Sequence, residues 1–181
     1  MAASDSNQRS SEPPPGGSGW LHAAALDERL VEEIQRAERH GTNLSCLLVV
    51  IENIDEMARE HGAELREQTL GYVAAALRSE LRGFDRVGRA SERELLIVLP
   101  GADGARGEIV ARRVLDRLRT IKVEAQGTRR TLRISVSLAP WRDGVDAGEL
   151  LASARAASRP SNGEEAGAAA PPPPEGGTRA S

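Results

Sequence analysis

The hydrophobic positions recur with a helical period in some stretches of the chain and form short continuous runs in others. Apolar residues over 26–37 fall on one face of a helix that ends near Gly41, and 45–52 is the apolar run of a strand covered on both faces. A second helical stretch extends over about 54–82, with an interruption at 61–62. The first half of the chain therefore predicts a helix, a strand and an interrupted helix.

The second half of the chain predicts shorter strands between two further helices. Asp103 is placed to cap a helix, and Gln126-Gly127 forms the turn of a hairpin whose second strand alternates apolar and polar residues. The elements are strands at 84–89 and 94–99, a helix at 103–120, hairpin strands at 121–124 and 131–138, and a helix at 147–157. This order predicts an α/β (α+β) fold with a central mixed β-sheet flanked by helices.

Both ends of the chain depart from this pattern. Residues 1–18 are mostly small and polar, and 159–181 is rich in proline, alanine and glycine. Such segments bury too little apolar surface to offset their ordering entropy, so we expect disordered tails around a domain at 19–158. Trp20 and Trp141 flank this domain, and we interpret them as lids over the edges of its core, with an interaction role as the alternative.

Composition and charge exclude several classes of function. Hydrophobic residues make up 39% of the chain and aromatic residues only 2%, so the core must be aliphatic. A net charge of −3 with mixed signs lacks the basic face of a nucleic-acid binder. No apolar stretch reaches the length of a membrane span and no signal-peptide pattern opens the chain, so a cytoplasmic location is expected.

Three groups of chemically capable residues are interpreted structurally. Cys46 lies inside the apolar run and is expected to be a buried, unreactive thiol. The three histidines share no ligand spacing, which argues against a metal site. A cluster of arginines on the third predicted helix is interpreted as a solvated face, with a partner-binding face as the alternative. Its members are Arg112, Arg113, Arg117 and Arg119.

Several segments, taken in order and with their spacing, resemble a known bacterial family. They are Arg39-His40-Gly41, the strand 47–51, Asp85-Arg86-Val87-Gly88-Arg89, the run 96–101 and Ile134-Ser135-Val136-Ser137-Leu138. Together they are similar to a GGDEF (diguanylate cyclase) domain over about 19–158, although the signature pentapeptide itself is absent. The resemblance implies a sheet like that of nucleotide cyclases, and an activity that condenses two GTP molecules with magnesium ions held by carboxylates.

The positions that the resemblance assigns to catalysis carry other residues. The pentapeptide falls on Ser91-Glu92-Arg93-Glu94-Leu95, where only Glu94 matches and Arg93 replaces a metal-binding acid. Val50 stands where the first strand of the family ends in a metal-binding Asp, and Glu52 corresponds to its second acidic position. The guanine-recognition and triphosphate positions are also altered, at Ala58, Arg59, Ala63, Arg66-Glu67 and Arg159-Pro160-Ser161-Asn162. The resemblance therefore implies an inactive homologue, with no catalytic residue, no metal and no cofactor.

One element of the family pattern is retained. Arg82-Gly83-Phe84-Asp85 has the Arg-x-x-Asp form of the family's inhibitory site, with five residues between Asp85 and the pentapeptide position. In members that use this site, the Arg and the Asp bind a cyclic di-GMP dimer. The alternative is structural, because a cation is favourable at the end of a helix and an Asp can satisfy amides in a turn.

Two hypotheses from different classes follow. In the first, the chain is an inactive signalling domain and a cyclic di-GMP receptor through Arg82 and Asp85. In the second, it is a protein-interaction or scaffold module of a bacterial signalling complex and binds no nucleotide. A third hypothesis, residual cyclase activity, is disfavoured by the number of altered positions.

Overall fold

The computed structural model describes residues 21–125 and 127–158. The helices are α1 (Ala23–His40), α2 (Ile54–His61), α3 (Ala63–Glu80), α4 (Gly104–Arg119) and α5 (Ala147–Ala157). The strands are β1 (Leu44–Ile51), β2 (Arg86–Arg89), β3 (Glu94–Pro100), β4 (Lys122–Ala125), β5 (Thr128–Thr131) and β6 (Ile134–Pro140). The proposed tails, 1–18 and 159–181, lie outside the described residues.

Capping residues that are visible in the sequence determine where several helices begin and end. Gly41 ends α1 in the left-handed region, with φ of 60°, which glycine adopts without a side-chain clash. The Asp103 side chain accepts a 2.8 Å hydrogen bond from the Arg106 amide at the start of α4. At α5, Asp146 and Glu149 form a reciprocal capping box. The predicted bounds of these three helices are therefore close to those observed.

The main sheet has the strand order β2-β3-β1-β6. Its three ladders are antiparallel, and in the centre Leu47 lies opposite Ile97 of β3 and Leu138 of β6. A parallel component comes from a bridge between Leu21 and Gly88 at the outer edge of β2. The predicted fold class, a sheet flanked by helices, is confirmed.

Side chains of β1 alternate between two aliphatic layers. Leu47, Val49 and Ile51 enter the layer formed with α2, α3 and α4, which we call the α3-side core. Cys46 and Leu48 enter the layer formed with α1 and α5, which we call the α1-side core. Burial on both faces explains why β1 reads as a continuous apolar run. Burial also raises the pKa of Cys46 to about 12, as expected for an unreactive thiol.

The predicted hairpin is wrong in its second strand. A single strand was expected over 131–138, but β4 pairs with β5 in a separate two-stranded sheet, and β6 joins the main sheet. The break occurs because the Asn53 side chain forms hydrogen bonds with the backbone on either side of Leu132. Its Nδ2 donates to the Thr131 carbonyl at 3.0 Å, and its Oδ1 accepts from the Arg133 amide at 2.9 Å.

Trp141 packs against the α1-side core and donates from Nε1 to the Val145 carbonyl at 2.8 Å. This agrees with the interpretation of Trp141 as a lid at the edge of the core. Trp20, the other predicted lid, lies outside the described residues. Of the helices that the structure describes, none has the length and apolar character needed to cross a membrane.

Candidate ligand site and the signature position

The degenerate pentapeptide forms the turn between β2 and β3. Amides of Ala90 and Ser91 both donate to the Glu94 carbonyl, at 2.9 and 3.2 Å, and close the turn tightly. The carbonyl of Arg93 accepts from the Ile51 amide at 3.0 Å, which places the turn beside the end of β1. The pentapeptide and the end of β1, two of the positions that the resemblance assigns to the active site, are thus adjacent in space.

Arginine side chains cross the surface between this turn and the α2–α3 pair. Arg66 donates from one terminal nitrogen to Glu92 at 2.8 Å and from the other to Asp55 at 2.7 Å. Arg89 also donates to Glu92, at 2.9 Å, and lies 3.5 Å from Glu67. The carboxylates near the turn are therefore already neutralised by guanidinium groups.

The residues at the implied metal positions do not fit a magnesium ion. Val50 lies opposite Glu94 in the β1–β3 ladder and packs against the α1-side core, so it presents hydrocarbon. Arg93 is exposed and carries a positive charge. Glu94, the one matching residue, accepts two hydrogen bonds from Arg155. No group of three His, Cys, Asp or Glu side chains that could hold a metal occurs among the described residues.

The other altered positions lie on the helices beside the turn. Ala58 is half-buried and Arg59 is exposed on α2, and neither side chain resembles the amide and acid that the family pattern implies. Gly62, which is retained, separates α2 from α3 with φ of 94°. The altered positions at 159–162 lie outside the described residues.

Arg82 and Asp85 lie in the turn between α3 and β2. The Asp85 carboxylate accepts from the Arg82 amide at 2.7 Å, and the Asp85 amide donates to the Arg82 carbonyl at 3.1 Å. The Arg82 guanidinium lies over the Phe84 ring, 5.8 Å from its centre. The structural role foreseen for Asp85 as a turn cap is therefore present, and it leaves the Arg82 side chain exposed.

A cavity of about 140 Å³ opens beside this turn, and we call it the ligand cavity. Arg82 and Asp85 contribute to it from the turn, and Arg106 and Arg113 contribute from α4. Its apolar lining comes from Leu99, Pro100, Ala102, Ile109 and Val110. The cavity therefore combines three guanidinium groups and one carboxylate with hydrocarbon walls.

The structure agrees with the interpretation of the α4 arginines as a solvated face, because Arg112, Arg113, Arg117 and Arg119 are all exposed. Arg113 also contacts the end of α3, where Nε lies 3.1 Å from the Glu80 carboxylate and NH2 donates to the Glu80 carbonyl. Arg106 was not identified from the sequence as a neighbour of Arg113. Their spacing could have done so, because residues two helical turns apart lie on the same face.

Burial raises the pKa of Asp85 above its ordinary value. The hydrogen bond from the Arg82 amide and the charges of Arg82, Arg113 and Arg86 oppose this rise. The half-buried carboxylate is thus surrounded by positive charge on several sides. An acceptor held in this way can receive N–H donors from a ligand while the arginines contact its anionic groups.

Comparisons with known proteins agree with this fold. The sequence matches the family model "Diguanylate cyclase, GGDEF domain" over residues 23–163. It is 30% identical to diguanylate cyclase DgcP of Pseudomonas aeruginosa over 102 residues, which cover 56% of this chain and 15% of that protein. It is 27% identical to the uncharacterised membrane protein YdaK of Bacillus subtilis over 128 residues, which cover 71% of this chain and 45% of that protein. The chain thus spans less than half the length of both relatives.

Solved structures show the same architecture. Diguanylate cyclase SiaD of Pseudomonas aeruginosa, in complex with its activator SiaC, superimposes with a TM-score of 0.73 at 28% identity. That match covers 77% of this chain and 54% of SiaD. A sensory box/GGDEF family protein of Caulobacter crescentus gives a TM-score of 0.69 at 25% identity, and covers 77% and 90%. From the matched residues and the shared fold, this chain belongs to the diguanylate cyclase GGDEF-domain family.

Proposed function

We propose that this chain is a catalytically inactive GGDEF domain that binds cyclic di-GMP in the ligand cavity. The observation that carries the proposal is that Arg82 and Asp85 of the retained motif share one cavity with Arg106 and Arg113. These residues come from two elements well separated in sequence, and the turn and α4 bring their side chains to one place.

The groups around the ligand cavity match the chemistry of a cyclic dinucleotide. Guanidinium groups make bidentate contacts with phosphate oxygens or with the O6/N7 edge of guanine. The carboxylate of Asp85 can accept hydrogen bonds from guanine N–H groups. Ile109, which is 67% exposed, and Val110 offer hydrocarbon on which a base can lie. Each kind of group in the ligand therefore has a counterpart.

The proposal of inactivity is supported by the surroundings of the signature turn. GTP condensation in the family requires magnesium ions on fixed carboxylates, which activate the hydroxyl and neutralise the triphosphate. The side chain of Val50 provides no oxygen ligand, and Arg93 adds a repelling charge where an acid is needed. Arg66 and Arg89 already bind the nearby carboxylates of Asp55 and Glu92. We therefore assign this chain no catalytic residue and no metal.

Calorimetric titration of the chain with cyclic di-GMP tests the receptor proposal. We expect saturable binding that is lost in Arg82→Ala and reduced at least tenfold in Asp85→Ala and Arg113→Ala. Arg117→Ala is the matched control, because it removes the same charge from the same helix away from the ligand cavity. Unchanged affinity in Arg82→Ala would show that cyclic di-GMP binds elsewhere on the domain. Circular dichroism verifies that each variant is folded.

A second candidate function is a protein-interaction module that binds no nucleotide. It is favoured by two exposed apolar side chains beside the arginines, Phe84 and Ile109. SiaD, a similar protein, was solved with a protein activator bound. This candidate predicts that the cyclic di-GMP titration gives no heat of binding. In either role, we propose a cytoplasmic domain at 19–158.

A further inference from the structure

Glu80 contacts Arg113 where the end of α3 lies against α4. Nε of Arg113 is 3.1 Å from the Glu80 carboxylate, and NH2 of Arg113 donates to the Glu80 backbone carbonyl. The side chain of Glu80 is 20% exposed, whereas that of Arg113 is 48% exposed. The guanidinium group therefore has two contacts with a single, largely buried residue.

Glu80 is the last residue of α3, a position at which a helix does not favour an acidic side chain. The helix dipole places partial negative charge at the C-terminal end, so a carboxylate there is repelled. Arg113 offsets this repulsion, because its charge lies beside both the carboxylate and the backbone carbonyl of Glu80. The presence of an acid at this position is thus better explained by its contact with Arg113 than by the stability of α3 alone.

Arg113 also lines the ligand cavity, whereas Glu80 does not. A guanidinium group is planar, with three nitrogens around one carbon. Because Nε and NH2 contact Glu80, NH1 lies on the opposite side of the group. NH1 carries N–H groups that can donate to a phosphate or to the O6/N7 edge of guanine. The contacts with Glu80 therefore leave donors of Arg113 for a ligand.

Like charges around the ligand cavity repel one another. Arg82, Arg106 and Arg113 all line it, and Asp85 is the carboxylate among its lining residues. The Arg113 side chain is long and half-exposed, so without a nearby acid it would lower this repulsion by turning into solvent. Glu80 supplies that acid from outside the cavity.

We propose that Glu80 is a positioning residue, which holds the Arg113 guanidinium in its binding orientation before cyclic di-GMP arrives. This role rests on the proposed function, because it is exerted on a residue that contacts the ligand. Ordering a mobile arginine during binding costs conformational entropy, and Glu80 lowers that cost by ordering Arg113 in the free protein. Glu80→Ala is therefore expected to weaken cyclic di-GMP binding about three- to tenfold.

A double-mutant cycle, measured by calorimetric titration with cyclic di-GMP, tests this role. We expect Glu80→Ala to weaken binding in the wild type but to have no further effect in Arg113→Ala, where the positioned side chain is already missing. Glu108→Ala is the matched control, because it removes an exposed acid of α4 outside the ligand cavity. An equal loss in both backgrounds, or unchanged affinity in Glu80→Ala, would overturn the proposal. If Glu80→Ala does not fold, Glu80→Gln removes the charge alone and is expected to give a smaller loss with the same dependence on Arg113.

The orientation of Arg113 can also be measured without ligand. In ¹⁵N-labelled protein, the Nε–H signal of Arg113 is assigned by its absence from the spectrum of Arg113→Ala. We expect hydrogen exchange of this group to become several-fold faster in Glu80→Ala and to stay unchanged in Glu108→Ala. Equal exchange in the wild type and Glu80→Ala would refute the positioning role. Faster exchange in Glu80→Ala, without any binding of cyclic di-GMP to the wild type, would support the hold of Glu80 on Arg113 and refute the receptor role alone.

Discussion

The carboxylate of Glu94 accepts two hydrogen bonds from the guanidinium of Arg155, at 2.7 and 3.2 Å. The pair joins the start of β3 to α5, and the Glu94 side chain is only 16% exposed. Glu94 is the one pentapeptide position that matches the family pattern. The charge of Glu94 is therefore paired with Arg155 inside the domain. The other pentapeptide positions, in the adjacent turn, do not match the family pattern.

A double-mutant cycle on Glu94→Gln and Arg155→Ala is expected to give a coupling energy of about 1 kcal/mol in urea unfolding. Two hydrogen bonds to the same carboxylate oxygen and partial burial place the pair at the upper end of the range for surface ion pairs. The exposed Arg29–Glu32 pair on α1 is the control, with an expected coupling of about 0.3 kcal/mol. Equal couplings in the two cycles would show that burial of Glu94 has no energetic consequence.

We expect no cyclic di-GMP from GTP and magnesium, as measured by chromatography of the reaction mixture. A Val50→Asp, Arg93→Asp variant should also be inactive, because the base-recognition position at Ala58 and the neutralised carboxylates at Arg66 remain. Product from the wild type would contradict the proposed loss of activity. Product from the double variant alone would show that the two metal positions are the whole defect.

Gly88→Ala is expected to destabilise the domain by about 1–3 kcal/mol. The new methyl group would lie 2.7 Å from Leu26 and 2.9 Å from the Leu21 carbonyl oxygen, so α1 or the N-terminal segment must shift. Gly71→Ala is the control within α3, where the added methyl meets nothing within 4 Å. Because alanine favours a helix, that variant should gain up to about 1 kcal/mol. Urea denaturation measures both changes.

The pKa of Asp85 predicts a pH dependence of stability. Since burial raises this pKa above 3.8, the folded state holds the proton more strongly than the unfolded state. The contribution of Asp85 to stability should therefore fall as pH rises from below 3.8 through the folded pKa. Asp85→Asn does not titrate and can still accept the Arg82 amide.

Urea unfolding of the wild type and Asp85→Asn across this pH range checks the prediction. The stability of the wild type relative to the variant is expected to decrease with rising pH and then level off. A relative stability that increases with pH would mean that the arginines outweigh burial and lower the pKa.

Local sequence signals were sufficient for most of the fold. Caps such as Gly41, Asp103 and Asp146 and the helical spacing of apolar residues determine where helices begin and end. The hairpin prediction failed because the side chain of Asn53, which is far away in the sequence, forms hydrogen bonds with the backbone on either side of Leu132. No pattern within 121–138 could reveal that contact.

The candidate site shows the same limit. The Arg-x-x-Asp motif is visible in the sequence, but its cavity depends on how α4 packs beside the turn. Arg106 and Arg113 share a helical face, and only the tertiary contact with Glu80 shows that this face adjoins Arg82. Long-range packing therefore decides which of the many arginines belong to the site.

Calorimetric titration of the wild-type chain with cyclic di-GMP tests the central claim most directly. The account predicts saturable binding, with heat that disappears when Arg82 is replaced by alanine and persists when Arg117 is replaced. The absence of binding at high ligand concentration, with a folded protein, would contradict the receptor role and favour the interaction module.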